Sequence, residues 1–425
     1  MDQNQYDVIV IGASVGGNSA AILYAQQGLR VALIERNKDI DAYKKTCTHH
    51  IQPFATPVLK KLGLLNEIKA AGGQPNSGRV WTRYGWFGPG VKSKSHGFNI
   101  RRSTLDPMLR RKAAAMPKVD LMLGTSLSEL IFADGRVIGV QVKTADRQTK
   151  SIYAKLVVGA DGRYSRTATL ANLPTRQEEN NRAVYFAYFR NLPLAGGEHT
   201  LVWYLDPNVA YAMANDDGQT LMAIALHKDE LAAFKKDIQG HFMRLMQQLP
   251  DGPRFAQAEQ VSKVMGMANM PNVSRQSVAP GLALIGDAAL ASDPVWGNGM
   301  GWAFSSARWL VDSTAKAVIY GTAEEMDAAL ATYQKRHQKR LAPRFERDVD
   351  FAKGRRFNLV ERLMYAASAK DSRFWQYTGP TILSWEQRDN LPSKEVVVDA
   401  LQVVTGLDRV NGWFNGRFAQ ALGRA

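Results

Sequence analysis

The sequence predicts an α/β chain in which a Rossmann-like dinucleotide-binding domain is interleaved with an antiparallel-sheet substrate domain and followed by a helical C-terminal tail. Three observations predict it. A glycine-rich loop, Gly12-Ala13-Ser14-Val15-Gly16-Gly17, stands between an apolar run and an alanine-rich one. An acid, Glu35, closes the next apolar run eighteen residues past Gly17. Far down the chain, Gly286-Asp287-Ala288-Ala289 and then Asp293-Pro294-Val295-Trp296-Gly297-Asn298-Gly299-Met300 repeat the strand–turn–helix pattern.

In chain order, Tyr6-Asp7-Val8-Ile9-Val10-Ile11 is apolar and β-branched, as a strand buried on both faces must be. The loop follows, with Ser14 in place of the middle glycine of G-x-G-x-x-G; serine is small enough for a pyrophosphate to come close. A helix over Ser19 to Gln27 stops at Gly28, and Val31-Ala32-Leu33-Ile34 makes the second strand. There Glu35, with Arg36 beside it, can bind both hydroxyls of an adenosine ribose. The Ala133-Asp134-Gly135-Arg136 turn opens a meander that leads to Leu156-Val157-Val158-Gly159-Ala160-Asp161-Gly162-Arg163-Tyr164-Ser165. Asp287 ends an apolar strand, Leu282 to Ile285, before a helix start that offers free N–H groups and positive dipole to phosphate or an electron-rich ring.

Between these halves lie aromatic strands: Arg182 to Phe189, Thr200 to Leu205, and two more near Ala210–Ala214 and Thr220–Leu226 across Asn215-Asp216-Asp217-Gly218. Both faces of the first are apolar, so each should be covered. Helices are expected over Gly299 to about Tyr320 and Met326 to about Phe345, the second bent or ended by Pro343, and an amphipathic stretch over Phe357 to Ala367. A mixed aromatic and polar run from Trp375 through Trp385 follows. The tail is read as a cover for the substrate opening, with a dimer contact as the alternative. The expected domains are 1–80, 100–175 and 280–349 for the dinucleotide, 81–99 and 176–279 for the substrate, and 350–425 for the tail.

The three motifs, in this order, resemble those of the FAD-dependent aromatic hydroxylase superfamily, that of para-hydroxybenzoate hydroxylase, which also includes geranylgeranyl reductases and flavin-dependent halogenases. The resemblance covers about residues 6 to 345 and implies an FAD-binding domain of the glutathione-reductase type. It implies that FAD meets Gly12, Ser14, Gly16, Gly17, Glu35, Arg36 and Asp161. Gly286 and Asp287 would take the ribityl–pyrophosphate region, and Pro294, Gly297, Asn298, Gly299 and Met300 the isoalloxazine ring. Arg102 matches the family arginine that reaches the FAD phosphates; otherwise it is one charge in the cluster Arg101, Arg102, Arg110, Arg111 and Lys112. The activity implied is a monooxygenase that inserts one oxygen atom from O2 into an aromatic or polycyclic small molecule through a flavin hydroperoxide.

Departures from the family rank the alternatives. The position three residues past Ser165, usually arginine, is Ala168, with Arg166 as a substitute; the segment is linked to NAD(P)H as well as FAD, so electrons arrive from NAD(P)H directly or through a flavin reductase. None of the nine tryptophans sits in the halogenase W-x-W-x-I-P stretch. Where the prenyl reductases carry a P-x-Y-x-W-x-F-P strand, this chain reads Tyr211 to Gly218 without it. Reduction of an isoprenoid, halogenation, and flavin binding in service of a partner remain as alternatives. Within the loop Thr46 to Gln52, His49 and His50 are candidate bases for a phenolic substrate, and Asp293 and Trp296 are rivals for the reactive face. Each histidine reads more simply as structural, and adjacent side chains point apart, so no metal site is expected there.

Composition bounds the setting. A chain of 425 residues with 45% hydrophobic content buries a sizeable core. The apolar runs are too short for a membrane span, and Met1 to Gln5 lacks the basic start of a signal peptide. The single Cys47 removes any C-x-x-C redox pair and suits the cytoplasm. The net charge of +15, concentrated between Lys335 and Arg356, reads first as a solvated helix face and second as a dock for an acidic carrier, a CoA substrate or a membrane surface. Nucleic acid is not expected, because no nucleic-acid motif appears. The partner expected is an apolar, ring-containing small molecule, free or bound to a carrier or CoA.

Overall fold

The computed structural model describes residues 4–88, 97–375, 377–378 and 392–406. The Gln5–Ile11 strand pairs in parallel with Val31–Glu35 on one side and Thr149–Gly159 on the other. Val119–Leu123 and Leu282–Leu284 extend this parallel sheet outward. Alternation explains why the central strand is apolar throughout. Val8 and Val10 face a core that includes the Val15–Ala25 and Gly299–Tyr320 helices, while Ile9 and Ile11 face a second core with the meander of Ser126–Ala133 and Arg136–Lys143. Asp134 and Gly135, both at positive φ, make the expected tight turn.

The second sheet runs in the order Glu259–Gln260, Arg182–Arg190, Thr220–His227, Val209–Ala214, Thr200–Tyr204, Gly78–Thr82 and Gly85–Phe87. It begins at Gly78, three residues before the expected boundary at 81. Asp217 and Gly218, at φ 59° and 62°, form the hairpin turn at residues 215–218. Buried Asp216 in that turn accepts bonds from the Arg101 backbone N–H (2.7 Å) and guanidinium (3.0–3.1 Å), which locks the second sheet onto the first domain. One sheet face packs on the Lys228–Phe234 and Ile238–Gln247 helices. The other turns inward, toward Val295 and Trp296.

The helix expected to bend or end at Pro343 instead runs unbroken over Ala323–Ala352. A proline in a long helix removes one N–H bond, and here packed side chains on both sides, Leu341, Phe345, Val349 and Phe351, hold the turns together. The Leu359–Lys370 helix follows, and Phe351, Phe357 and Tyr365 cover one end of the inward sheet face against Tyr204 and Phe87. The expected aromatic run to Trp385 lies largely outside the described residues, as does part of the 81–99 segment. Among the described residues, no helix is long and apolar enough to cross a membrane.

Candidate FAD and substrate site

The glycine loop is shaped by its backbone. Gly12 adopts φ +100°, and a Cβ there would lie 2.7 Å from the Ala160 carbonyl oxygen. A Cβ on Gly17 would fall 1.8 Å from the Gly12 oxygen, so only glycine lets the helix start close on the strand. The Val15–Ala25 helix begins with no side-chain cap and no acid in its first turn, which leaves its first N–H groups for an anion. Gly16 is buried in ordinary contact with Ile285 and Ala303. Buried Glu35 accepts the N–H of Ala13 and of Asn37, both at 2.9 Å, and so ties the strand end to the loop. Arg36 is exposed just past the strand end.

Arg102 is buried and donates to Ser14 Oγ at 2.7 Å and to Asp106 at 2.6 Å. It therefore stands at the loop, as the cofactor role requires, and not among the surface charges of its cluster. Arg110, also buried, bridges the Ala13 carbonyl (3.2 Å) and the Ala42 carbonyl (2.8 Å), fastening the segment after Glu35 to the loop. Across the groove, Lys44 reaches Asp287 at 3.3 Å. Burial alone would raise the Asp287 carboxyl; Lys44, Arg163 and Arg102 outweigh it and hold the group below its usual range, ionised. Asp161 is half-buried beside the short Arg166–Leu170 helix. Its carboxylate accepts from Ser165 Oγ (2.5 Å) and from the N–H and hydroxyl of Thr167 (2.9 Å each), pinning the short helix that follows. Arg166 reaches the Ser128 carbonyl at 2.7 Å, on the meander.

The turn from Pro294 to Met300 is built from the second motif. Gly286 (φ 55°) and Gly297 (φ 62°) are left-handed. A Cβ on Gly297 would sit 2.9 Å from the His50 ring, and one on Gly301 would sit 2.6 Å from Phe54. Gly299 is exposed at the uncapped start of its helix, beside Asp287, and Met300 is buried behind it. Asp293, expected on the reactive face, is instead buried. It caps the Pro294–Trp296 turn through the Val295 N–H (2.8 Å) and faces the fully buried Arg182 at 3.4 Å. Its Oδ1 holds the turn from beneath, and its Oδ2 faces the guanidinium. Trp296 is half-buried, with its indole against Phe351 (5.0 Å) and Tyr204 (6.0 Å), while Gln52 grips its carbonyl at 2.7 Å. Asn298 lies behind the turn, donating to Asp348 at 3.4 Å.

The two histidines diverge. His50 bonds Asn99 Oδ1 at 2.9 Å through Nδ1, and Asn99 donates onward to Thr200, so His50 braces the turn from inside. Burial lowers its pKa to about 4, which leaves it neutral. His49, in a left-handed conformation (φ 64°), accepts the Arg102 backbone N–H at Nδ1 (3.0 Å) and hydrogen-bonds Tyr188 through Nε2. Burial and then Arg102 lower its pKa to about 3. Neither ring is a ready base.

The cradle fits a dinucleotide with a flavin ring: two uncapped helix starts, a buried acid at a strand end, a glycine loop closed by Arg102, and a glycine turn at the far end. Fold and groove together define an FAD-dependent oxidoreductase. The chain belongs to the FAD binding domain family, which it matches over residues 5–347, and so to the flavoprotein monooxygenase superfamily that its motifs resemble. It is 25% identical over 346 residues to digeranylgeranylglycerophospholipid reductase 1 of Methanococcoides burtonii, spanning 79% of this chain and 80% of that protein. It is 26% identical over 315 residues to squalene epoxidase 3 of Arabidopsis thaliana, spanning 70% of this chain but 58% of that protein. The flavin-dependent brominase Bmp2 shares the fold at a TM-score of 0.73 and 17% identity, over 94% of this chain and 98% of that one.

Several of these residues carry no sequence signal when read singly. Lys44, Gln52, Tyr188 and Asp348 find their partners only through the fold. Arg182 was findable: a charge opening an otherwise apolar strand calls for a buried acid, which Asp293 supplies.

Proposed function

We propose that the chain is a monooxygenase that inserts one oxygen atom from O2 into an apolar, ring-containing small molecule. The observation that carries this reading is the inward face of the second sheet. Val184, Phe186, Tyr211 and Met213 present an apolar wall opposite the turn that faces the flavin ring, and the Tyr211 hydroxyl donates to the Val295 carbonyl at 2.7 Å, which joins wall to turn. Bound FAD supplies the electron and oxygen chemistry. The protein binds the cofactor ends through Glu35 and the loop, orients the ring by the Pro294–Met300 turn, and excludes water with aromatic and methionine side chains. Methionine adapts to related ring sizes, since one methylene is worth only about 1–3 kcal/mol of discrimination.

Because the chain carries no second glycine loop after a strand, electrons come from NAD(P)H binding transiently at the surface or through a separate reductase; the cytoplasm is the matching compartment. A second reading, reduction of an isoprenoid double bond, is favoured by the reductase relative, which is matched across 80% of its length. The oxygen requirement of product formation separates the two. Oxygenation stops under anaerobic conditions, whereas a reductase forms its hydrogenated product equally well without oxygen.

A further inference from the structure

On the inward sheet face the residues alternate Val184, Phe186, Tyr188, while Ala183, Tyr185, Ala187 and Phe189 face the opposite core. Tyr188 is therefore the polar side chain of an apolar row. It is half-buried, edge-on to Phe186 at 6.0 Å, and it abuts the Thr46–Gln52 loop whose other residues grip the ring-facing turn. Its hydrogen-bond partner among the described residues is His49.

The direction of that bond follows from the other side of the imidazole. The Arg102 backbone N–H donates to His49 Nδ1 at 3.0 Å, so this nitrogen is the acceptor and carries no proton. A neutral imidazole then carries its proton on Nε2 and donates it to the Tyr188 oxygen. The backbone of Arg102, itself anchored by Ser14 and Asp106, thus selects the tautomer. With its oxygen already accepting from His49, Tyr188 still has its own O–H proton to give, and the group stands on the inward side of the sheet. Burial holds the phenol well above its ordinary pKa, so it remains a donor throughout the physiological range.

We infer that Tyr188 is a hydrogen-bond donor to the substrate, with His49 as its positioning residue, and that the substrate carries an acceptor oxygen (phenolic, alcoholic or carbonyl) on an otherwise apolar body. The inference rests on the proposed apolar site and narrows what that site accepts. A pure hydrocarbon seated against Tyr188 would take its phenolic donor out of water without a partner, which selects against it.

The test uses the FAD-loaded protein and two pairs of probes, 1-naphthol with naphthalene and farnesol with farnesene, titrated by the change in flavin absorbance. The wild type should bind the oxygenated member of at least one pair about tenfold more tightly, and Tyr188→Phe should erase that preference while leaving hydrocarbon affinity and FAD content unchanged. His49→Asn should reduce the preference, and nitrogen-labelled histidine NMR should show His49 as the neutral Nε2–H tautomer near pH 7. Hydrocarbon and oxygenated probes binding equally well in the wild type, or a preference that survives Tyr188→Phe, overturns the inference alone. Binding of none of the four probes overturns the apolar site as well. A His49 proton on Nδ1, or a charged ring at pH 7, also overturns the inference.

Discussion

Gly16 and Gly17 stand side by side and are expected to answer mutation in opposite ways. A methyl on Gly16 meets Ile285 and Ala303 at 3.6–3.7 Å, ordinary contact, inside a helix where alanine is favoured by about 1 kcal/mol. Gly16→Ala should leave thermal stability and FAD affinity equal or slightly higher. A methyl on Gly17 would fall 1.8 Å from the Gly12 carbonyl, so Gly17→Ala must push the helix off the strand and lose FAD, read by fluorescence titration. Glu35→Ala and Asp287→Ala each remove a charge-assisted anchor and should weaken FAD binding by about 1.5–3 kcal/mol. Asp348 behind the turn has a pH consequence. Burial, with Asp293 adding, pushes its carboxyl up to about 7 against Arg344, Ser292 and Asn298. The folded state then holds a proton that the unfolded chain, titrating at 3.8, releases, so this group's contribution to stability falls as pH rises from about 4 to about 7. The buried histidines His49, His50 and His337, with lowered pKa values, act in the opposite sense and are common to the wild type and Asp348→Asn. Denaturation of the two proteins at pH 5 and pH 8 should show the wild type losing stability relative to the variant at the higher pH; a constant difference contradicts this reading.

The strands and turns that build the cradle were legible because their causes are local. An apolar β-branched run, a glycine that must be left-handed and an acid at a strand end each declare themselves within a few residues. The Gly299–Tyr320 helix appeared with its expected bounds for the same reason. What was not legible depends on residues distant in sequence. Asp293 suits the reactive face on its sequence position alone, and its burial depends on Arg182, 111 residues earlier. Pro343 looked like a helix end, and only the packing of Phe345, Val349 and Phe351 explains why the helix continues for nine residues more. That continuation carries Phe351 to the sheet, where Phe357 and Tyr365 complete the aromatic cover. Phe357→Ala should cost about 3–5 kcal/mol of stability and, on the proposed function, weaken binding of apolar ligands more than binding of FAD, since Phe357 packs on Tyr204 and Tyr365 at the inward sheet face.

Taken as a whole, the molecule packs the helices Val15–Ala25 and Gly299–Tyr320 on one face of a parallel sheet, with their uncapped starts at the strand ends, and sets the inward face of an antiparallel sheet against Val295 and Trp296. The buried Asp216 bonds to Arg101 join the two parts, so the apolar wall keeps its place over the turn. Rapid mixing with NADPH should bleach the flavin if the chain takes electrons directly; a flavin that stays oxidised at high NADPH points to a separate reductase. The monooxygenase reading itself is tested most directly by labelled dioxygen. With FAD, NADPH and an apolar ring-containing substrate present, the product should gain one labelled oxygen atom. A product that gains two hydrogens and no label, formed equally well without oxygen, would contradict it.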